Sequence, residues 1–292
     1  MRILSWEEFV LAKPGRPLAV SPGRPISASP DRPIAASVGV FDGVHRGHRH
    51  LLDLVKAKAP SMESCVVTFR ENPKRILRPN SFKGNIFSLE KKLEVLESEG
   101  LDTCVLIDFS ADFGTLSGAD FLGLLKKAGV SFLTVGPNFK CGHKMDTNAA
   151  ALVELCGKLG IEALVAEPVL YSGHAVSSTR IRNAILEGRL NEASEMLGRP
   201  YEIEYDAEGE AQGPEEGAGR TGEGKGSLLF HPRQGTLLPP DGRYELCQDS
   251  GKGIQCLEAC IEKGQLRIEE KAGRRSGRAT IITMVSRECK EK

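Results

Sequence analysis

The chain has 292 residues, 40% hydrophobic and 27% charged, which is the composition of a globular protein with room for two domains. Its 39 basic and 39 acidic residues give a formal net charge of zero, so we expect no binding to nucleic acid or to an anionic membrane surface. The sequence contains no apolar stretch of the roughly 20 residues that a membrane span needs, and Glu7 and Glu8 stand where a signal peptide would be apolar, so it predicts a cytoplasmic protein.

The first segment, residues 1–33, is rich in proline, with six prolines between residues 12 and 33. Proline at this density precludes a helix or a central strand because it fixes φ and lacks an N–H donor. We therefore expect an extended surface segment that leads into the first strand.

Strand and helix patterns alternate in residues 34–201. Runs of apolar and β-branched residues predict five strands, at Ile34–Val40, Ser64–Phe69, Thr103–Phe109, Phe132–Gly136 and Ala163–Pro168. Apolar residues at helical spacing predict four helices between them, at Gly47–Lys58, Leu89–Glu99, Ser117–Ala128 and Asn148–Leu159. Such alternation predicts a Rossmann-like α/β domain, a parallel sheet with helices on both faces and ligands at the carboxyl ends of the strands.

The C-terminal third has a different composition. Residues 202–226 are rich in glycine and glutamate, cannot pack a core and predict a flexible linker. Residues 227–292 contain short strand-like runs separated by turn residues, which predict a small β-rich domain, a degenerate barrel. The eight cysteines form no C-x-x-C pair with further zinc ligands, so we expect reduced thiols and no metal-ligating residues.

The sequence GVFDGVHRGH, residues Gly39–His48, joins the first predicted strand to the first predicted helix. A helix start presents unpaired N–H groups and a positive dipole end to a phosphate. Here His45 and His48 could contact phosphate oxygens, and glycines would let the backbone approach a ligand. A capped turn without a ligand is the alternative, but the flanking residues and the strand–loop–helix context favour a nucleotide site.

A second motif, VSSTRIR, lies at the start of a further helical pattern that ends at Gly188. Its three hydroxyl residues precede a guanidinium one turn on, an arrangement that suits a polyphosphate. Simple helix capping is the alternative, and the position of the motif at the end of the strand-and-helix pattern favours the anion site.

Together the two motifs resemble the signatures of the H-x-G-H nucleotidyltransferase superfamily. The closer resemblance is to the adenylyltransferase module of the bacterial bifunctional riboflavin kinase/FAD synthetase family. Its G-x-F-D-G-V-H-x-G-H element corresponds to Gly39–His48, its S-S-T-x-I-R element to Ser177–Arg182, and its G-R-P-Y element to Gly198–Tyr201. The resemblance implies an FMN adenylyltransferase, for which ATP and FMN are substrates, FAD and pyrophosphate are products, and Mg²⁺ accompanies ATP.

The resemblance also implies roles for individual residues. The catalytic residues would be His45, His48 and Arg182, and the flavin-side wall would include Asn138 and Phe139. The residues that bind ATP would be Gly39, Phe41, Asp42, His45, His48, Ser177, Ser178, Thr179 and Arg182.

The chain departs from the family pattern in three places. Glu71-Asn72-Pro73 stands where the family usually has a P-H-P element. Gly136–Gly142 reads GPNFKCG where the family has G-x-D-F-R-F-G, and the P-T-A-N element of the family's riboflavin kinase barrel does not occur. We therefore expect FAD synthesis without riboflavin kinase activity. The alternatives are a related nucleotidyltransferase with a different phosphate acceptor and a non-catalytic protein that binds a nucleotide or a flavin.

Overall fold

The computed structural model describes residues 1–11, 32–59, 61–206, 227–232, 236–249, 254–269 and 276–286. The chain divides into two compact units, here called the first and the second unit. The first unit comprises Met1–Phe82 and Leu89–Ala175, and the second comprises Lys83–Ser88 and Val176–Lys292.

The first unit is built of alternating strands and helices. Its strands are β1 (Arg2–Ser5), β2 (Ile34–Val38), β3 (Glu63–Phe69), β4 (Thr103–Ile107), β5 (Val130–Val135), β6 (Lys140–Cys141), β7 (Thr147–Asn148), β8 (Glu162–Val165), β9 (Leu170–Tyr171) and β10 (His174–Ala175). Its helices are α1 (Trp6–Leu11), α2 (Arg46–Lys56), α3 (Pro73–Leu77), α4 (Leu89–Ser98), α5 (Gly118–Lys127) and α6 (Ala149–Leu159).

Six of these strands form one parallel sheet in the order β1-β4-β3-β2-β5-β8. The prediction of a Rossmann-like α/β fold is confirmed, and the five predicted strands and four predicted helices are present with ends shifted by at most three residues. No helix in the described ranges is long and apolar enough to cross a membrane.

The two faces of the sheet differ in character. Apolar residues such as Val38, Val67 and Leu133 face one side, where they form a core with residues of α1, α5 and α6. Because side chains alternate along a strand, their neighbours Thr68 and Thr134 face the other side. There α2 packs against β2, β3 and β5. The face covered by α2 therefore carries these two hydroxyl groups beside apolar residues such as Val66 and Phe132.

Residues 2–11, which the sequence analysis assigned to the proline-rich segment, form β1 and α1. β1 pairs in parallel with β4, and Trp6 of α1 stacks on Phe121 of α5 with ring centroids 5.4 Å apart. A four-residue strand is too short to show a hydrophobic period, so only its pairing reveals it. The prolines at residues 14–30 lie outside the described residues.

The second unit contains two helices and a closed barrel. Its elements are α7 (Ser178–Leu186), α8 (Leu190–Leu197), β11 (Tyr201–Asp206), β12 (Ser227–Pro232), β13 (Gly242–Asp249), β14 (Ile254–Glu262), β15 (Gln265–Glu269) and β16 (Ser276–Ser286). The strands pair antiparallel in the order β11-β12-β15-β14-β13-β16, so the prediction of a small β-rich domain is confirmed. Residues 202–206, assigned to the linker, belong to β11, and residues 207–226 lie outside the described part.

The cysteines divide into two groups. Those described as free are Cys65, Cys104, Cys141 and Cys156. Cys247 and Cys260 are disulfide-bonded, so the expectation of reduced thiols is wrong for these two. Cys247 lies on β13 opposite Cys256, and Cys260 lies on β14 opposite Arg243. Spacing along the chain did not reveal either disulfide.

Trp6 provides a test of how α1 is held. Its side chain is only 6% exposed, so Trp6→Ala would leave a cavity and we expect it to lower the free energy of unfolding by about 3–5 kcal/mol. Urea denaturation followed by circular dichroism measures this. Leu11→Ala, at the 78% exposed end of the same helix, is the control, with an expected change within about 0.5 kcal/mol. Equal losses in the two variants would contradict the docking of α1 through Trp6.

Candidate active site

Residues Gly39–His48, here called the histidine loop, connect the carboxyl end of β2 to α2. The loop begins with two hydrogen bonds to β3. The N–H of Gly39 donates to the carbonyl of Val67 at 3.1 Å, and the hydroxyl of Thr68 donates to the carbonyl of Val40 at 2.9 Å. The start of the loop is therefore fixed to the neighbouring strand.

The middle of the histidine loop has an unusual backbone. Phe41, Gly43 and Val44 have positive φ angles of 52°, 81° and 35°. For residues other than glycine such angles cost about 1–3 kcal/mol and persist only where the surroundings enforce them. Phe41 and Val44 are fully buried, so their packing stabilises this conformation. A Cβ at Gly39 would lie 3.1 Å from the Phe41 ring, so this ring occupies the space beside Gly39.

His45 caps the N-terminus of α2. Its Nδ1 accepts a hydrogen bond from the backbone N–H of His48 at 3.3 Å. An Nδ1 that accepts carries no proton, so the ring proton lies on Nε2. The ring stands at the positive end of the helix dipole and is 5% exposed.

His48 lies between two other rings. It stacks on His45 with centroids 3.6 Å apart and an angle of 15°, and its centroid lies 4.9 Å from that of Phe41. Burial, helped by the charges of His45 and Lys92, holds the pKa of His48 well below 6.5. Its Nδ1 is buried and has no hydrogen-bond partner among the described residues. His48 is therefore neutral at physiological pH.

Sequence reasoning missed Lys92 of α4. Its side chain is 7% exposed, and its Nζ donates to the carbonyl of Phe69 at 2.6 Å. Burial lowers the pKa of Lys92 to about 8, against the opposing effect of Asp42 in the histidine loop. A signal existed in the sequence. Lys92 stands three and four residues before Val95 and Leu96, which are buried, so it occupies a position of the helix where an apolar residue is expected.

The predicted flavin-side residues lie at the same edge of the sheet as the histidine loop. Asn138 and Phe139 follow β5, which pairs with β2, and the carboxyl ends of parallel strands meet at one edge. The N–H of Phe139 closes a tight turn on the carbonyl of Gly136 at 3.1 Å. Asn138 is exposed and Phe139 is half-buried.

The hydroxyl motif belongs to the second unit, at the start of α7. The hydroxyl of Ser177 accepts from the N–H of Arg180 at 3.3 Å, so the helix cap is formed. Ser178 is half-buried and Thr179 is exposed.

The two arginines of this motif have different surroundings. Arg182 is 7% exposed, and its Nε donates to the carbonyl of Gly84 at 2.8 Å. Arg180 instead forms an ion pair with Glu192, with Nη2 and Oε1 3.7 Å apart. Sequence reasoning found Arg182 but not Gly84, which lies 98 positions earlier in the chain.

Comparison with known proteins agrees with the resemblance of the sequence motifs. The model of the FAD synthetase family matches residues 27–180, a little more than half of the chain. The bifunctional riboflavin kinase/FMN adenylyltransferase of Buchnera aphidicola subsp. Schizaphis graminum is 30% identical over 172 residues. That of Pseudomonas fluorescens is 31% identical over 171 residues. Each match covers 57% of this chain and 55% of the relative, so it spans about half of the relative's length.

A solved structure shares the fold over the whole chain. The crystal structure of a macrolide-efflux protein from Streptococcus pneumoniae superimposes with a TM-score of 0.75, covering 100% of this chain and 93% of that one. The two sequences are 22% identical, and the likeness concerns the fold alone.

The lowered pKa of His48 predicts acid sensitivity. Below the ordinary value of 6.5, the unfolded chain binds a proton that the folded imidazole does not, so stability falls as the pH falls through this range. We expect His48→Asn to lose less stability than the wild type between about pH 7 and 5, as measured by urea denaturation. His174→Asn, the same change at an exposed histidine of β10, is the control. Identical pH slopes for His48→Asn and the wild type would contradict the assignment.

Proposed function

The chain belongs to the FAD synthetase family, and from this premise we propose that it transfers the adenylyl group of ATP to FMN, releasing FAD and pyrophosphate. The observation that carries the proposal is the stacked histidine pair at the N-terminus of α2. Such a place suits the phosphates of a nucleotide, because the helix dipole and the ring donors face the same anion.

The reaction needs no protein nucleophile. A phosphate oxygen of FMN attacks the α-phosphorus of ATP, the new P–O bond forms as the bond to the β-phosphate breaks, and pyrophosphate leaves. Catalysis then consists of positioning the two substrates and stabilising the charge that develops on the phosphate oxygens.

In this scheme His45 and His48 are hydrogen-bond donors to the phosphates. The bond from the His48 N–H to Nδ1 of His45 supports a fixed Nε2–H donor on His45. A neutral His48 binds without taking a proton from the solvent. The buried Phe41 and Asp42 maintain the shape of the loop that presents both rings.

The flavin would lie beside the loop after β5. A half-buried aromatic ring such as that of Phe139 can pack against the isoalloxazine. The exposed amide of Asn138 can both donate and accept hydrogen bonds. The changed sequence of Gly136–Gly142 favours one second candidate, the same transfer to a different phosphate acceptor.

Pyrophosphate would be held at the start of α7 by Ser177, Ser178, Thr179 and Arg182. The bond from Nε of Arg182 to the carbonyl of Gly84 fixes the plane of the guanidinium, which suits two-pronged contact with phosphate oxygens. Mg²⁺ would enter with ATP, since it binds phosphate oxygens with one or two carboxylates at most. No group of three His, Cys, Asp or Glu side chains in the described part of the chain could hold a metal ion.

We also propose that the chain has no riboflavin kinase activity. The relatives are bifunctional by name, and this chain has a closed six-stranded barrel. A kinase must hold a metal-bound triphosphate beside a base for the acceptor hydroxyl. The P-T-A-N element that the family uses for the triphosphate is missing from the sequence.

Product analysis tests both parts of the proposal. The protein is incubated with ATP, Mg²⁺ and either FMN or riboflavin, and the flavins are separated by chromatography. We expect FAD from FMN and no product from riboflavin, and we expect His48→Ala to lower kcat by about 10²–10³-fold through loss of a transition-state donor.

Each other outcome of this assay identifies an alternative. FMN or FAD made from riboflavin would contradict the absence of kinase activity. Thermal stabilisation by ATP and FMN without any FAD would indicate a binding protein. Stabilisation by ATP but not by FMN would indicate another acceptor.

The two arginines of α7 test the pyrophosphate site. Lysine keeps the charge but has one nitrogen in place of a planar fork, so we expect Arg182→Lys to lower kcat/KM for ATP by about tenfold or more. Arg180→Lys keeps a surface charge beside Glu192, and we expect less than about a twofold change. Steady-state kinetics at saturating FMN measure both. Equal effects in the two variants, or none in either, would contradict the placement.

A further inference from the structure

Lys92 is a buried cation that the proposed reaction does not use. Lysine is almost never fully buried unless it is paired, because removing its charge from water is costly. Lys92 is 7% exposed and lies on α4, beside the carboxyl end of β3. Its burial therefore calls for a specific role.

The contacts of Lys92 connect three elements. Its Nζ donates to the carbonyl of Phe69, the last residue of β3, at 2.6 Å. The charge of Asp42, a buried residue of the histidine loop, raises the pKa of Lys92 against the effect of burial. Thr68, the residue before Phe69, holds the carbonyl of Val40 in the same loop. Lys92 thus stands where α4, β3 and the histidine loop meet.

The groups that act on this part of the site can be named. His48 is influenced by His45, which precedes it on the loop, and by Lys92 from α4. Lys92 is influenced by Asp42 and by Cys104 of β4. Burial raises the pKa of Cys104 to about 12, so this thiol stays neutral at physiological pH. Lys92 and Asp42 are therefore two charged groups near the histidine pair.

We propose that Lys92 is a positioning residue, whose ammonium fixes the end of β3 at the carbonyl of Phe69 and so holds the histidine loop, which the neighbouring Thr68 ties to β3 at the carbonyl of Val40. Its effect on catalysis rests on the proposed adenylyl transfer. Its effect on the loop does not. An apolar residue at this position would fill the space but remove the ammonium that donates to the carbonyl of Phe69.

The proposal makes the loop sensitive to alkaline pH. The pKa of Lys92 is about 8, so above this pH the ammonium becomes neutral and its charge-assisted hydrogen bond to the carbonyl of Phe69 weakens. We expect the activity of the wild type to fall along an alkaline limb near pH 8. Arginine stays charged through this range, so we expect Lys92→Arg to move the limb to higher pH.

The experiment compares Lys92→Met and Lys92→Arg with Lys91→Met. Lys91 is the matched control, since it lies on the same helix, is 8% exposed and bonds Glu94 at 3.1 Å, away from the histidine loop. The first readout is the titration of His48 by NMR of histidine-labelled protein, with the signal assigned from His48→Asn. We expect Lys92→Met to raise the midpoint of His48 by at least about half a pH unit, and Lys91→Met to leave it unchanged.

The second readout is the kinetics of FAD formation. A displaced loop misplaces the reacting groups, so we expect Lys92→Met to lower kcat by about 10–100-fold with less than about a threefold change in KM for FMN. Should Lys92→Met fail to fold by circular dichroism, the pH profile of Lys92→Arg decides. Should the wild type form no FAD, the adenylyl transfer is wrong, and the His48 titration alone decides the role of Lys92. An unchanged His48 midpoint in folded Lys92→Met, or an alkaline limb that stays near pH 8 in Lys92→Arg, would overturn the proposal.

Discussion

The position of the histidine pair depends on the way the histidine loop is tied to β3. Two hydrogen bonds, from Gly39 to Val67 and from Thr68 to Val40, fix the point at which the chain leaves the sheet. The buried side chains of Phe41 and Val44 then enforce a backbone with positive φ that these residues would otherwise avoid. Only with this turn in place can His45 cap α2 and stack on His48.

The two faces of the sheet contribute differently to the protein. The side covered by α1, α5 and α6 is an apolar core, whose burial is the main stabilising contribution to such a domain. The side covered by α2 carries the hydroxyl groups of Thr68 and Thr134, and Lys92 is buried at the end of β3. Polar groups in a medium of low polarity interact strongly and are costly when unpaired. Burial also holds the pKa of His48 well below its ordinary value.

The start of α7 shows that capping and anion binding are compatible hypotheses. Ser177 forms the cap, yet Arg182 is held one turn further by the carbonyl of Gly84, in the short segment Lys83–Ser88 that belongs to the second unit. The barrel of this unit shows a separate point. A closed sheet can form from strand pairing alone, whereas a kinase site needs particular side chains on it. The shape of the barrel therefore does not indicate whether the chain transfers a phosphoryl group.

The sequence was sufficient to predict features that depend only on neighbouring residues within a short segment. The alternation of apolar runs predicted β2, β3, β4, β5 and β8 with the helices between them, and GVFDGVHRGH predicted that His45 and His48 lie where the first of these helices begins. These signals are local, because a hydrophobic period or a motif needs only about ten neighbouring residues. The contacts of Trp6, Lys92 and Gly84 depend on partners far along the chain. These partners are Phe121 of α5 for Trp6, the carbonyl of Phe69 for Lys92, and Arg182 for Gly84. Pairing of distant residues is decided by the packing of the whole fold, and no pattern within one segment records it.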